Sequence, residues 1–359
     1  MIKDIIVRAR KIIVIPYRYI WGTGSTFFGQ IGNGVMAYAF TQIGTLINWS
    51  SVSAGLNHTM SIKTDGTLWG WGNNAYGHLG TSNFTYYSSP VQIGTLTNWS
   101  SVSAGQSYTM SIKTDGTLWG WGENGFGPLG TGNTTTYSSP VQIGTLTNWY
   151  SVSAGQSHTM SIKTDGTLWG WGRNVVGQLG TSNFTTYSSP VQIGTLTNWY
   201  SVSAGDSHTM SIKTDGTLWG WGANTLGQLG ISPLLQIGTL TNWSSVSAAS
   251  SHTMSIKTDG TLWGWGANNF GQLGTGDRVN RSSPVQIGTL TNWSSVSATG
   301  VHTMSIKTDG TLWGWGLNAV GQLGTGNTTG LSSPVQIGTL TNWSSVSAGT
   351  NHTMFISST

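Results

Sequence analysis

The chain has 359 residues, and charged residues make up only 7% of them, against roughly a quarter in typical soluble domains. Apolar residues still make up 37%, with 20 tryptophans, which is enough to build a core and indicates an ordered chain. Cysteine is absent, so disulfides, thiolate nucleophiles and cysteine metal ligands are excluded.

The formal net charge of +4 comes entirely from the first 18 residues. There a single acidic residue, Asp4, faces five basic ones: Lys3, Arg8, Arg10, Lys11 and Arg18. In the rest of the chain acidic and basic residues cancel, so the body is neutral. The high isoelectric point therefore does not predict a nucleic-acid-binding surface on the body.

Residues 1–16 (MIKDIIVRARKIIVIP) form a basic and apolar N-terminal segment. It does not read as a usual signal peptide, and it is too short and too charged to span a membrane. Its apolar residues fit one face of a helix that ends before Pro16, yet its β-branched residues fit a strand equally well. Three interpretations stay open: a strand or strap packed on the body, an anchor that docks on a partner or larger assembly through Lys3, Arg8, Arg10 and Lys11, or a membrane-surface helix.

After residue 17, a nearly identical unit of about fifty residues repeats along the chain. Its Asn-Trp marker occurs seven times, at Trp49, Trp99, Trp149, Trp199, Trp243, Trp293 and Trp343. A repeat of this length predicts a stacked or circular fold, because no single unit can bury its apolar face alone. Nearly identical units also leave few unique residues for catalysis, which favours binding over enzymatic chemistry.

Within each unit, four runs read as antiparallel strands: SVSA, HTMSIK, TLWGWG and PVQIG. A Thr-Asp-Gly turn joins the second run to the third, and the leading proline suits a first strand position or a sheet edge. Four short strands per unit predict one propeller blade. The alternation of TLWGWG puts Trp69 and Trp71 on one face, where packing between blades is favoured over a ligand-stacking platform.

The two ends of the chain predict a closed ring. The last unit stops after HTMFISST, which supplies two strands, while YIWGTG and VMAYAFTQIG near the N-terminus supply a third and a fourth. We therefore predict an all-β fold, a single seven-bladed β-propeller over residues 17–359, whose last blade is shared between residues 17–44 and 343–359 and thereby hides its sheet edges. Thr23 replaces the second tryptophan there, so this blade is expected to pack less well. The connection GISPLLQIG is six residues shorter than its equivalents.

The motif WGxNxxGQLGxG, with an HTM…DG hairpin upstream, resembles the regulator of chromosome condensation repeat family over nearly the whole chain after residue 17. The resemblance implies a seven-bladed propeller with terminal closure. It also implies a range of functions: nucleotide exchange on a small GTPase, inhibition of β-lactamases, ultraviolet perception and scaffolding. Fold alone does not select among them.

Alternate loops of each blade lie on opposite faces of the ring. We call the face with the Thr-Asp-Gly turns and the GTLTNW blade connections the invariant face, because it hardly changes between units. We call the opposite one the variable face; its loops include residues 56–57, 106–107, 206–207, 300–301 and 350–351, residues 73–76, 123–126, 173–176, 223–226, 267–270 and 317–320, and the residues after each GTG or GTS.

The variable face is the candidate binding site. Its charged residues are Glu123, Arg173, Asp206, Asp277, Arg278 and Arg281, and its aromatic residues include Phe84, Tyr86, Tyr87, Phe126, Tyr137, Phe184, Tyr187 and Phe270. Aromatic area combined with Ser, Asn and Gly on a rigid scaffold is the composition of an antibody-like binding surface. Neutral drift in loops without a packing role is the alternative.

Catalytic and metal chemistry is not favoured. A histidine recurs at His58, His158, His208, His252, His302 and His352, with Tyr108 in its place once, and a hydrogen-bonded structural role is preferred over a metal ring. His78 lies outside this series and is expected to be an exposed loop residue. A catalytic triad needs a buried acid, and only Asp206 lies near a Ser-x-His pair, where it is predicted in a loop. GQLGTGN lacks the lysine and helix of a phosphate loop. No cofactor and no metal are expected.

The leading hypothesis is a non-enzymatic recognition or scaffold propeller that binds a protein or glycan through the variable face, with no transmembrane segment. A surface or virion-associated location is favoured over a cytoplasmic one. One alternative is a structural decoration protein of a larger, viral assembly, docked by residues 1–16. Another is a guanine-nucleotide exchange factor, which is implied only by the resemblance.

Overall fold

The computed structural model describes residues 17–230 and 235–358. In this part of the chain every regular element is a β-strand, and the strands form seven four-stranded sheets. The prediction of an all-β, seven-bladed propeller is therefore confirmed. The N-terminal segment of residues 1–16, with the anchor residues predicted in it, lies outside the described residues.

Each blade runs from an innermost first strand to an outermost fourth strand. The first strands are β3 (Trp49–Ala54), β7 (Trp99–Ala104), β11 (Trp149–Ala154), β15 (Trp199–Ala204), β19 (Trp243–Ala248), β23 (Trp293–Thr299) and β27 (Trp343–Ala348). The second strands are β4 (His58–Lys63), β8 (Tyr108–Lys113), β12 (His158–Lys163), β16 (His208–Lys213), β20 (His252–Lys257), β24 (His302–Lys307) and β28 (His352–Ser358). The third strands are β5 (Leu68–Gly72), β9 (Leu118–Gly122), β13 (Leu168–Gly172), β17 (Leu218–Gly222), β21 (Leu262–Gly266), β25 (Leu312–Gly316) and β1 (Arg18–Gly24). The fourth strands are β6 (Tyr87–Gln92), β10 (Tyr137–Gln142), β14 (Tyr187–Gln192), β18 (Leu235–Gln236), β22 (Arg281–Gln286), β26 (Leu331–Gln336) and β2 (Ala37–Gln42).

The Thr-Asp-Gly turn closes the hairpin between the second and third strands. In the first complete blade, Asp65 Oδ1 accepts hydrogen bonds from the backbone N–H of Thr67 at 3.0 Å and from its hydroxyl at 2.6 Å. Gly66 has a φ of 77°, and a Cβ there would lie 2.0 Å from the carbonyl oxygen of Thr97. Only glycine fits both the conformation and the contact with the next blade connection.

The core lies between neighbouring blades. Met60, Leu79 and Ile93 of one blade pack against Trp99 and Trp121 of the next. Within the second blade the Trp99 and Trp121 rings meet edge to face, with centroids 5.9 Å apart. The same arrangement recurs around the ring, so the second tryptophan of each WGWG motif is a packing residue, as the alternation predicts.

Strands from both ends of the chain close the ring, as predicted. In this sheet the order is β2-β1-β28-β27, and the register runs from Arg18 opposite Ser358 to Gly24 opposite His352. This pairing leaves no open gap between the first and last blades.

The blade with Thr23 compensates for its missing indole. The Thr23 side chain is fully buried, and its hydroxyl lies within 2.9 Å of the carbonyl oxygens of Ala37 and Gly321. Phe40 and Phe355 pack against Trp343 with ring centroids 5.4 Å away and supply apolar volume. The expected loss of packing is therefore offset by larger residues elsewhere in the same blade.

The fourth strands begin earlier than the sequence predicted. In the first complete blade the strand starts at Tyr87, three residues before Pro90, so a start at the proline is wrong, whereas its position at the sheet edge is right. A register shift between Gly70 and Gly72 accommodates the extra residues. In the blade with the short connection, the described part of the fourth strand is Leu235–Gln236.

Candidate recognition face

The two sets of loops lie on opposite faces, as predicted. On the variable face, the backbone N–H of Asn73 donates to the carbonyl of Asn57 at 2.9 Å and so joins the two loops of one blade. On the invariant face, the N–H of Thr64 donates to the carbonyl of Asn48 at 2.8 Å, and that of Trp99 donates to Gly66 at 3.1 Å. Backbone hydrogen bonds therefore join neighbouring loops on each face.

A buried asparagine anchors the long loop of the variable face in five of the seven blades. Asn74 Oδ1 accepts from the N–H of Leu79 at 2.8 Å, and its Nδ2 donates to the carbonyl of Asn83 at 2.9 Å. Similar bonds occur at Asn124, Asn174, Asn268 and Asn318. The loops consequently have fixed backbones whatever residues occupy their tips. The recurring asparagine in WGxN is the sequence signal for this anchor.

One apolar side chain stands at the tip of this loop in every blade. This set, the apolar tip ring, consists of Phe28, Tyr76, Phe126, Val176, Leu226, Phe270 and Val320. Five of the seven are exposed, and Phe28 and Val320 are half-buried. Only Phe126 and Phe270 of this set were predicted as binding residues, because the equivalence of the other five emerges only when all seven blades are aligned.

An aromatic cluster crosses the junction between the shared blade and the first complete blade. Phe27 is 83% exposed, and its ring centroid lies 4.8 Å from that of Phe28. The Phe28 ring centroid in turn lies 5.8 Å from that of Tyr86. Tyr86 is exposed, and so is Phe84, two residues earlier in the sequence. Rings held edge to face in this way form a rigid apolar surface.

A cation–π contact links the second and third complete blades on the same face. The Arg173 guanidinium lies 5.2 Å from the centroid of the exposed Phe126 ring. Glu123, in the same loop as Phe126, is half-buried, and burial raises the pKa of its carboxyl group. Phe184, 71% exposed, protrudes from the next loop along the ring.

Two predicted site residues form an internal ion pair. Arg281 donates to the Asp277 carboxylate at 2.5 Å and to the carbonyl of Val279 at 2.8 Å. Hydrogen bonds from Thr275, Val279 and Arg281 lower the pKa of Asp277 to about 2. Arg278, between them in sequence, is exposed.

Three predicted aromatic site residues are structural. Tyr87, Tyr137 and Tyr187 are the first residues of β6, β10 and β14 rather than loop residues, and they are half-buried against the cores. Each hydroxyl accepts a hydrogen bond from an asparagine four residues earlier: Asn83, Asn133 or Asn183. The Asp277–Arg281 pair occupies the same two positions in its blade, so an ion pair replaces the hydrogen bond there.

Asp206 lies at the axial opening of the ring. It lines a cavity of about 150 Å³ together with Gln106, Gln156, Ser250 and small residues of the first strands. Burial raises the pKa of Asp206, although a hydrogen bond from Ser250 opposes the shift. These four polar residues come from successive blades, and Thr299 and Thr350 of the next two blades also line the cavity.

The recurring histidines form hydrogen bonds between blades. His158 Nε2 lies 3.0 Å from the Thr209 hydroxyl of the next blade, and the same contact recurs at His58, His208, His252, His302 and His352. Burial lowers the pKa of His158 to about 3. Tyr108 instead donates to the carbonyl of His158 at 2.6 Å. These contacts support the structural role predicted from the repeat.

The prediction that His78 is exposed is wrong. His78 is only 2% exposed, and its ring packs 4.6 Å from that of His58. Its carbonyl accepts from the Thr109 hydroxyl and the Trp121 indole N–H. His78 occupies the position that glutamine holds in most other units, and burial lowers its pKa to about 4.

Within residues 17–230 and 235–358, no group of three or more His, Asp or Glu side chains is placed to hold a metal ion. The same residues contain no helix long and apolar enough to cross a membrane.

The RCC1-like domain family matches residues 150–359, and the regulator of chromosome condensation (RCC1) repeat matches residues 65–112 and 115–162. A second description of the same repeat matches residues 49–77 and 99–127. The ultraviolet-B receptor UVR8 of Arabidopsis thaliana is 35% identical over 79 residues, which cover 21% of this chain and 17% of the receptor. The chain thus spans less than a fifth of that relative's length.

Solved structures with the same fold cover nearly all of the chain. Yeast RCC1 (Prp20) bound to Kap60 superposes with a TM-score of 0.85 at 18% identity, over 96% of this chain and 89% of that one. Human WBSCR16 gives 0.83 at 19% identity, over 95% and 98% of the two chains. At these identities the likeness concerns the fold. Together with the family match over more than half of the chain, it leads to one assignment: this chain belongs to the RCC1-like domain family and is built from regulator of chromosome condensation repeats.

Proposed function

We propose that this propeller is a non-enzymatic recognition module that binds a partner protein through its variable face. The observation that carries the proposal is the apolar tip ring, together with the aromatic cluster of Phe27, Phe28 and Tyr86. Large apolar side chains exposed on a rigid scaffold mark interaction sites. Aromatic residues are also the side chains that most often dominate binding energy.

The electrostatics of the face fit a mainly apolar contact. Asp277 and Arg281 neutralise each other, and Arg173 lies over Phe126. Few charges are left to attract a strongly charged ligand, so affinity would come from desolvated aromatic rings rather than from steering.

Proteins are the partner class that the fold relatives support. Prp20p from Saccharomyces cerevisiae, which superposes with a TM-score of 0.84 at 19% identity over 96% of this chain and 92% of that one, is described with binding to Gsp1p and histones. A glycan is the other ligand class that exposed aromatic rings can bind. A surface or virion-associated location, and assembly through residues 1–16, stay predictions.

Photocrosslinking tests the assignment of the face. A benzoylphenylalanine at Phe84 on the variable face is compared with one at Leu146 on the invariant face, since both positions are exposed. We expect a discrete protein adduct from position 84 and none from position 146 in an extract of the source organism. The reverse pattern would reject the proposal. A glycan adduct from position 84 would identify the ligand as a sugar and not a protein.

A nucleotide-release assay separates plain recognition from exchange activity. The captured partner, if it is a small GTPase, is loaded with a fluorescent nucleotide and mixed with the propeller. We expect binding without acceleration of release, because the acidic residues of the face lie in three separate blades and one of them is paired with Arg281. Accelerated release would show that the chain is an exchange factor.

A further inference from the structure

The invariant face carries one exposed leucine per blade. This set, the leucine ring, lies in the blade connections and consists of Leu46, Leu96, Leu146, Leu196, Leu240, Leu290 and Leu340. Their exposures lie between 37% and 48%, and all seven units keep leucine. Leu146 and Leu196 also line surface grooves beside Trp149 and Trp199. Internal packing accounts for the neighbouring glycines and tryptophans, but not for an apolar side chain that remains so exposed.

The outermost charges of this face are negative. The six turn aspartates are exposed at Asp65, Asp115, Asp165, Asp215, Asp259 and Asp309. Hydrogen bonds from Thr117 hold the pKa of Asp115 below its usual range, so it stays ionised near neutral pH. Among the described residues no salt bridge joins these carboxylates, since the ion pair found there is Asp277–Arg281.

The lysines of the same turns are drawn inward. Lys113 Nζ lies 3.6 Å from the centroid of the Trp119 ring, and the corresponding lysines of the next four blades sit 3.5 or 3.6 Å from theirs. These five residues are only 5–7% exposed: Lys113, Lys163, Lys213, Lys257 and Lys307. A partner that approaches the face therefore meets leucines and carboxylates before it meets ammonium groups.

The first described strand, β1, begins on this face. In six blades a Thr-Asp-Gly turn joins the second and third strands there. In the shared blade these strands are β28 and β1, so Ser358 pairs with Arg18 where the seventh turn would be. The described chain therefore begins at the rim of the leucine ring.

We propose that residues 1–16 dock on the invariant face of their own propeller. The isoleucines of the segment would cover part of the leucine ring, and Arg8, Arg10 and Lys11 would meet the turn aspartates. Sixteen residues reach at most about 55 Å, which is enough to cross much of the face. Tethering gives the segment an effective concentration in the millimolar range, which favours its own ring over that of a second copy.

Hydrogen–deuterium exchange on the full chain tests this docking. The variant Arg8→Glu/Arg10→Glu/Lys11→Glu is compared with the unchanged chain, and Arg173→Glu/Arg278→Glu on the variable face is the matched charge-reversal control. We expect amide exchange in the blade connections around Leu96 and Leu146 to rise at least fivefold in the triple variant. The control should leave these connections unchanged, and the thermal unfolding midpoint verifies that both variants are folded.

Each other outcome overturns the proposal in a defined way. Equal exchange in the triple variant and the unchanged chain means that the segment does not cover this face. Protection that disappears on dilution, together with dimers in sedimentation, assigns the segment to a second copy. Binding of anionic phospholipid vesicles by the unchanged chain only, without protection in free solution, assigns it to a membrane surface. None of these results bears on the variable face, so the proposed function is tested separately.

Discussion

The two faces of the ring differ in what constrains their residues. On the variable face, Asn74 and its equivalents fix the loop backbone, so the tip residues can change without disturbing the blade. On the invariant face, the backbone itself is packed, since a Cβ at Gly66 would collide with the carbonyl of Thr97. The units therefore differ in sequence where a change of side chain leaves the backbone contacts intact. Among positions free to vary, however, the tips stay apolar, which favours the proposed binding surface over neutral drift.

The largest effect is expected from opening the ring, which removes the scaffold of both faces at once. Deleting residues 349–359 takes away β28, the strand that joins β27 to β1. The shared blade then loses its central pairing, and we expect no cooperative unfolding transition in urea monitored by tryptophan fluorescence. A sharp transition at the position found for the full chain would show that the ring does not depend on closure.

Acid should weaken the interior that the two faces share. Burial lowers the pKa of His208 to about 4, so between pH 6.5 and 4 the unfolded chain binds a proton that the folded chain does not. Stability is thus present above pH 6.5 and is lost as the pH falls, by about 1.4 kcal/mol per pH unit for each such histidine. Urea unfolding between pH 7 and 5 measures the slope, and His208→Gln should reduce it by one proton. An unchanged slope in that variant would contradict the assignment.

A matched pair of aromatic substitutions contrasts scaffold with surface. Trp171 is fully buried, and its indole N–H donates to the carbonyl of Pro128 at 2.8 Å. We expect Trp171→Ala to lower the free energy of unfolding by about 3–5 kcal/mol. Phe184→Ala, at a residue that is 71% exposed, should change it by less than about 0.5 kcal/mol. Similar losses in the two variants would mean that Phe184 serves the fold and not a partner.

The smallest expected effect concerns the internal pair on the variable face. The Asp277 and Arg281 side chains are partly exposed, so breaking their ion pair with Arg281→Ala should cost only about 0.2–1 kcal/mol. Asp277→Asn/Arg281→Tyr reproduces the Asn83–Tyr87 hydrogen bond and should restore most of that stability. Urea unfolding of the three proteins checks this. A double variant with a lower free energy of unfolding than the single variant would show that the hydrogen bond cannot replace the ion pair.

The sequence was sufficient for the architecture because the repeat encodes it redundantly. Strand alternation predicts the packing of Trp71, and turn chemistry predicts the glycine at position 66. The count of strands predicts that the two terminal half-blades join. His78 was placed wrongly because its burial depends on the neighbouring His58 ring, which no local pattern reveals. Tyr87 looked like a loop residue because the proline predicted the start of the strand. The register shift between Gly70 and Gly72 allows the strand to begin three residues before Pro90.

The candidate site was only partly accessible from sequence for a related reason. Loop composition located the face, but exposure depends on neighbouring blades. The contact of Phe28 with Tyr86 joins residues far apart in the chain, and the partner of Arg173 is a phenylalanine in the preceding unit. Such pairings require the ring itself.

Titration calorimetry with the captured partner tests the central claim, that recognition belongs to the variable face, most directly. Phe27→Ser/Phe84→Ser/Tyr86→Ser is compared with the matched invariant-face variant Leu96→Ser/Leu146→Ser/Leu196→Ser, since each replaces three exposed apolar residues. We predict that the first variant weakens binding by at least a hundredfold and that the second changes it by less than twofold. Loss of binding in the leucine variant, with full affinity in the aromatic one, would contradict the account.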